Sequence, residues 1–263
     1  MMADETVHVT IEEHAKGGQI ARVVIANERR LNCLNTPQIV RLTETFASVS
    51  ETPELRAVVL TGAGERAFVG GADLHELGTL CADSSRLFIT RLHRLCETIR
   101  DCPVPVIARI NGICLGAGLE VAASCDMRVA VDSAVFGMPE VRMGMPSVIE
   151  AALLPGLVGW GKTRELLLTG EGLMAEEALR IGLVERVVPV GRFDQAVDKW
   201  LNEICESTPQ AVRAQKALIN RWQRVSLGEG ILASIDALAT ACASGEPQAR
   251  IAGFFARKRK PDT

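Results

Sequence analysis

The sequence predicts an α/β fold over its first two-thirds, and two features carry that reading. Short runs rich in β-branched residues alternate with stretches whose apolar residues recur at helical spacing. One such run, Arg56-Ala-Val-Val-Leu-Thr61, has the apolar centre of a parallel strand covered on both faces.

Val7–Glu12 and Ile20–Ala26 read as two strands joined through Lys16-Gly17-Gly18, a hairpin turn. A helix follows: Thr36 is placed to cap it, Pro37 suits its first position, and Ile39, Val40, Leu42 and Phe46 recur at helical spacing. After the strand at 56–61, a loop from Gly62 to Asp73 leads to a helix over Ser84–Arg100. A strand at Val106–Ile110, a small-residue helix at Gly118–Ser124 and strands at Arg128–Val131 and Val135–Phe136 come next. From Ala175 helices dominate, apart from the strand-like Val184–Val188, with helices expected at Arg192–Glu206, Thr208–Val225, Gly228–Cys242 and Pro247–Arg257. No low-complexity linker intervenes, so the expected division is an α/β core over 1–191 and a helical region over 192–263.

Composition narrows the function classes. The 263 residues are 48% hydrophobic and 23% charged, which excludes disordered and collagen-like chains. A net charge of −3 advertises no polyanionic partner, and 4% aromatics with no Tyr leave little to stack on nucleic-acid bases. The eight cysteines form no C-x-x-C pair and no metal-ligand spacing, so reduced, buried thiols of a cytosolic protein are expected. The opening Met-Met-Ala-Asp-Glu-Thr is acidic and lacks an apolar stretch, giving no secretory or transit signature. The longest apolar segment, Val104–Ala123, is interrupted by Arg109, Asn111 and Glu120 and is not expected to span a bilayer.

Three segments break local rules. Ala67-Phe-Val-Gly-Gly-Ala-Asp-Leu74 is a loop whose glycines let backbone N–H groups approach a ligand, or it is an ordinary turn before a helix. In Gly116-Ala-Gly-Leu-Glu120 a carboxylate stands among small residues where a helix opens. Its free N–H groups and positive dipole suit developing negative charge, although Glu120 could equally serve the dipole alone. Phe136-Gly-Met-Pro-Glu140 places a second glutamate in apolar company, where a surface acid is the plain alternative. Combined, the segments supply two backbone donors for an oxyanion and two carboxylates able to handle one water.

On those three motifs the chain resembles the crotonase (enoyl-CoA hydratase/isomerase) superfamily nearly end to end. The resemblance implies a spiral of repeated ββα units with a helical C-terminal region that forms trimers, often paired into hexamers. It makes Ala72 and Ala117 the oxyanion N–H donors and Glu120 and Glu140, twenty residues apart, the catalytic pair. Gly70, Gly71, Asp73, Leu74 and Gly116 would line the substrate site beside them. A coenzyme A thioester is the implied substrate, with no metal or redox cofactor. Arg29-Arg30-Leu-Asn32-Cys-Leu resembles the family's Asn-Ala-Leu segment and puts Arg30 at the nucleotide, one residue short of the usual spacing. Phe254-Phe-Ala-Arg-Lys resembles the terminal Phe-x-x-Lys-Arg and puts Phe255 and Lys258 at coenzyme A phosphate, a solvated basic tail being the alternative.

One stretch departs from that pattern. Where hydratases carry a Pro-Gly-Ala-Gly-Gly-Thr loop, this chain has Met145-Pro-Ser-Val-Ile-Glu150-Ala-Ala. Ser147 is expected to cap a helix with Glu150 at its third position, and a third acid at Glu150 is the alternative. Water addition to a 2-enoyl-CoA is the expected reaction, with Glu140 protonating C2 and Glu120 activating the water. Double-bond isomerisation usually needs only one of the two acids. A non-catalytic acyl-CoA or RNA-binding protein is the rival of another class, against which the charge and the few aromatics count.

Overall fold

The computed structural model describes residues 6–258, with side chains over 7–256. Strands β1 (Thr6–Glu13) and β2 (Gln19–Ala26) form the antiparallel hairpin, turned by Gly17 and Gly18 at positive φ. Helix α1 (Thr36–Ser50) follows, capped by Asn35 rather than by Thr36. The Asn35 side chain accepts from the Gln38 N–H at 3.0 Å, and the Gln38 side chain returns to the Asn35 N–H at 3.4 Å. Thr36 is engaged elsewhere: its N–H and hydroxyl both donate to Glu76.

A ββα unit then recurs. Strands β3 (Leu55–Gly62) and β4 (Ala67–Val69) precede α2 (Leu74–Leu77) and α3 (Ala82–Asp101). Strands β5 (Val106–Ile110) and β6 (Ile113–Leu115) precede α4 (Ala117–Ser124). Strands β7 (Met127–Val131) and β8 (Val135–Gly137) precede a 3-10 turn at Pro139–Met143, a second at Ile149–Leu153, and α5 (Leu154–Thr169). Next come β9 (Leu173–Met174), α6 (Ala175–Arg180), β10 (Arg186–Val188) and α7 (Phe193–Glu206).

In each repeat the first strand joins one sheet and the second joins another. The large sheet runs β1-β2-β3-β5-β7-β10, parallel beyond the hairpin, and the small one runs β4-β6-β8-β9, with β9 alone antiparallel. Successive repeats therefore stack strand on strand, which is the spiral. Ala57–Leu60 of β3 are fully buried, as an apolar run in a two-faced parallel sheet should be. Helix α3 buries Phe88, Leu92, Leu95, Cys96 and Ile99 on one stripe, and α7 buries Phe193, Val197, Leu201, Ile204 and Cys205.

Two compact units divide the chain at Glu206/Ser207, so α7 belongs to the first unit, whereas the expected boundary lay at 191/192. It packs on β3, β7 and β10, and the buried Arg56 of β3 donates to its last carbonyls, Ile204 (2.7 Å) and Cys205 (3.3 Å). The second unit holds α8 (Pro209–Trp222), α9 (Leu227–Ala243) and α10 (Glu246–Lys258), with α9 packed on both others. Ser226 and Glu229 close a capping box on α9, and Trp222 Nε1 donates to the Gly230 carbonyl at 3.1 Å. Among the described residues no single helix is long and apolar enough to cross a membrane; α9 and α10 reach that composition only as a pair bent by 68°.

Candidate active site

The three rule-breaking segments leave the same edge of one sheet. Strands β4, β6 and β8 are parallel neighbours, with Val69 opposite Cys114 and Leu115 opposite Gly137. Parallel neighbours lie about 4.8 Å apart. Gly70–Asp73, Gly116–Glu120 and Met138–Glu140 therefore emerge side by side from adjacent carboxyl ends.

Asn32 fixes the first segment from behind. It sits at φ 56° and is fully buried, donating to the carbonyls of Ala63 (3.0 Å) and Ala67 (2.8 Å) and accepting from the Asn27 N–H (2.9 Å). The chain beyond it pairs with the loop: Gly70 N–H donates to Leu31 O, Leu34 N–H to Gly71 O, and Asp73 N–H to Leu34 O, each at 2.8 Å. Alternation turns the intervening Ala72 N–H the other way, away from Leu34, and no protein acceptor meets it among the described residues. Asp73 then caps α2, accepting from the N–H groups of His75 (2.8 Å) and Glu76 (3.4 Å).

Ala117 opens α4 and its N–H belongs to the first turn, which has no intrahelical acceptor. Two glycines place it. Gly118 carries no side chain because a Cβ there would run into the carbonyl oxygen of Val69, so α4 lies directly against β4. Gly116 adopts φ 51°, ψ −121°, and a Cβ there would strike Oε1 of Glu140. The second glutamate thus lies against the residue preceding Ala117.

Glu120 is buried at 5% exposure, and its Oε1 accepts from the Ala151 N–H at 3.3 Å. Burial, followed by the charge of Glu140 and more weakly that of Glu150, pushes its pKa up to about 8, with the Ala151 N–H acting in the opposite direction. Glu140 is half-buried in the Pro139–Met143 turn, and the Ser147 hydroxyl donates to its Oε2 at 2.8 Å.

The expected capping role of Ser147 and Glu150 is overturned. The turn at Ile149–Leu153 is flanked by Val148 with no side-chain cap, the Ser147 hydroxyl being committed to Glu140. Glu150 is buried instead, its Oε1 2.9 Å from His93 Nδ1 and 3.9 Å from an Arg100 nitrogen. The alternative weighed from sequence, a third acid near the pair, matches this placement.

Peripheral residues divide. Arg30 binds Asp73 at 2.7 Å and leaves half its side chain exposed. Burial works to raise the Asp73 carboxyl, but Arg30 and the two capping N–H groups outweigh it and hold the pKa below the usual carboxylate value. Leu74 is exposed at the start of α2. Phe255 is exposed on α10 with its ring edge-on to Phe254, and the Lys258 side chain lies outside the described residues. Among the described residues no group of three His, Cys, Asp or Glu is placed to hold a metal ion.

The profile of the enoyl-CoA hydratase/isomerase family matches residues 15–262, and the chain belongs to that family. A short-chain-enoyl-CoA hydratase of Clostridium acetobutylicum is 35% identical over 246 residues, 93% of this chain and 94% of that protein. A crotonyl-CoA hydratase of Syntrophomonas wolfei is 31% identical over 259 residues, 98% of each. The crystal structure of an enoyl-CoA hydratase from Bacillus anthracis superimposes with a TM-score of 0.88 at 31% identity, over 97% of this chain and 98% of that one.

Proposed function

We propose that this protein adds water reversibly across the C2–C3 double bond of a 2-enoyl-CoA thioester. The observation that carries the reading is the emergence of Glu120 and Glu140 from neighbouring strand ends, beside the N–H groups of Ala72 and Ala117, which meet no protein acceptor among the described residues. Those N–H groups hold the thioester oxygen as it becomes an enolate, strengthening as charge develops there.

The carboxyl pair carries one proton. At rest burial keeps it on Glu120, and the Ser147 hydroxyl donates to Oε2 of Glu140. A bound water relays the proton, giving an ionised Glu120 and a protonated Glu140. Glu120 then takes a proton from the water as its oxygen bonds C3, and the Glu140 proton bonds C2. The product leaves with one water added, and the proton is again on Glu120. No metal or redox group enters this scheme, and coenzyme A arrives with the substrate. Arg30 contacts its nucleotide end, while Gly70, Gly71, Asp73, Leu74 and Gly116 border the acyl thioester. The protein works in the cytoplasm, as a trimer or hexamer, without nucleic-acid or membrane partners; an apolar face on α9 (Leu232, Ile235 and Leu238, each over 60% exposed) supports assembly.

The test is loss of the conjugated enoyl-thioester absorbance with short, long and branched 2-enoyl-CoAs. Rapid loss with at least one chain class is expected. A product of unchanged mass with a shifted double bond would replace hydration by isomerisation.

A further inference from the structure

The 145–153 stretch, where this chain departs from the glycine-rich pattern, contains two features that packing alone does not require. Ile149 holds φ 39°, a conformation β-branched residues avoid, and such strain persists only where the surroundings enforce it. Glu150, next to it, is 3% exposed, and its Oε2 is buried with no hydrogen-bond partner among the described residues. Its other oxygen is tied to α3 through His93 Nδ1 at 2.9 Å, with Arg100 at 3.9 Å. The following residue, Ala151, gives its N–H to Glu120 at 3.3 Å.

We propose that Glu150 is a positioning residue for the reaction: by anchoring the 149–153 turn to His93 and Arg100, it holds the Ala151 N–H on the carboxyl group of Glu120. This inference rests on the hydratase reading. The groups facing Glu150 are His93, Cys96 and Arg100 from α3 and Glu120 from α4. The Cys96 thiol is pushed well up by burial first and by the Glu150 charge second, so it stays neutral. Glu150 therefore sets both the place of the Glu120 carboxyl, through Ala151, and part of its proton affinity, through its own charge.

The test compares Glu150→Ala, Glu150→Gln and His93→Ala with wild type. Steady-state kinetics on crotonyl-CoA are run across pH, and Glu120 is titrated by carbon-13 NMR of glutamate-labelled protein, its signal assigned by loss in Glu120→Gln. Misplacing a reacting group costs up to about 100-fold, so Glu150→Ala should lower kcat by about 10- to 100-fold with KM nearly unchanged. The Gln variant keeps an acceptor for His93, so its kcat stays near wild type while the alkaline limb and the Glu120 titration move to lower pH. His93→Ala, altering a half-exposed side chain, should fall between them and decides the matter if Glu150→Ala does not fold. An unchanged kcat and Glu120 titration in Glu150→Ala or His93→Ala overturns the proposal, as does an equal kcat loss in the Ala and Gln variants of Glu150. A wild-type protein without hydratase activity would sink the hydratase reading instead, and the NMR titration would still decide whether Glu150 controls Glu120.

Discussion

Glu120 is a carboxylic acid that burial keeps protonated close to neutral pH, and two consequences can be measured. An unfolded glutamate ionises near 4.5, whereas this one does so near 8 in the folded chain. The folded state therefore binds the extra proton, and the associated stability is complete below about pH 4.5 and is lost as pH rises toward 8. Each pH unit inside that window costs up to about 1.4 kcal/mol. Glu120→Gln, which cannot ionise, should be progressively more stable than wild type as pH rises, by urea denaturation at pH 5 and pH 8. An unchanged gap between the two pH values would contradict a raised Glu120 pKa. In kinetics, kcat/KM should fall as pH passes about 8, because the pair then loses its one shared proton. Residue types were legible here: both glutamates and both alanines come straight from the motifs. The partners were not, because Ser147–Glu140 and Ala151–Glu120 join positions 7 and 31 residues apart that no local pattern in the sequence pairs.

At the scale of elements, the site depends on three very short parallel strands ending together. Gly116→Ala should therefore disturb function more than folding. Its Cβ meets the Glu140 carboxylate and its φ is strained for alanine, so a loss of about 1–3 kcal/mol in stability is expected alongside a fall in kcat. Wild-type kcat in this variant would contradict the placement of Glu140. Strands β4 and β6 are not legible in the sequence, because three residues give no periodicity to read and glycines flank both, so that the first reads as part of a loop. Helix α5 is hidden for another reason: Pro155, Gly156, Gly159 and Gly161 break the helical pattern, and Gly159 is non-helical within it. The longer strands and helices, with sustained apolar stripes, fall close to where they were expected.

For the whole molecule, the boundary between units follows from packing rather than from composition. Arg56 ends α7 by donating to its terminal carbonyls, so Arg56→Met should destabilise the first unit by about 1–3 kcal/mol. Thermal melting would show the effect, and an unchanged midpoint would contradict it. Assembly is tested by light scattering: wild type should have a trimer or hexamer mass, and Ile235→Glu with Leu238→Glu should reduce it to that of one chain. The decisive measurement for the molecule is the rate of heavy-oxygen water incorporation into a short 2-enoyl-CoA by wild type, Glu120→Gln, Glu140→Gln and the double variant. Each single variant should lose about two to four powers of ten, and the double variant little more than the worse single one, because the pair acts as a unit. Either single variant incorporating oxygen at the wild-type rate would contradict the two-glutamate site.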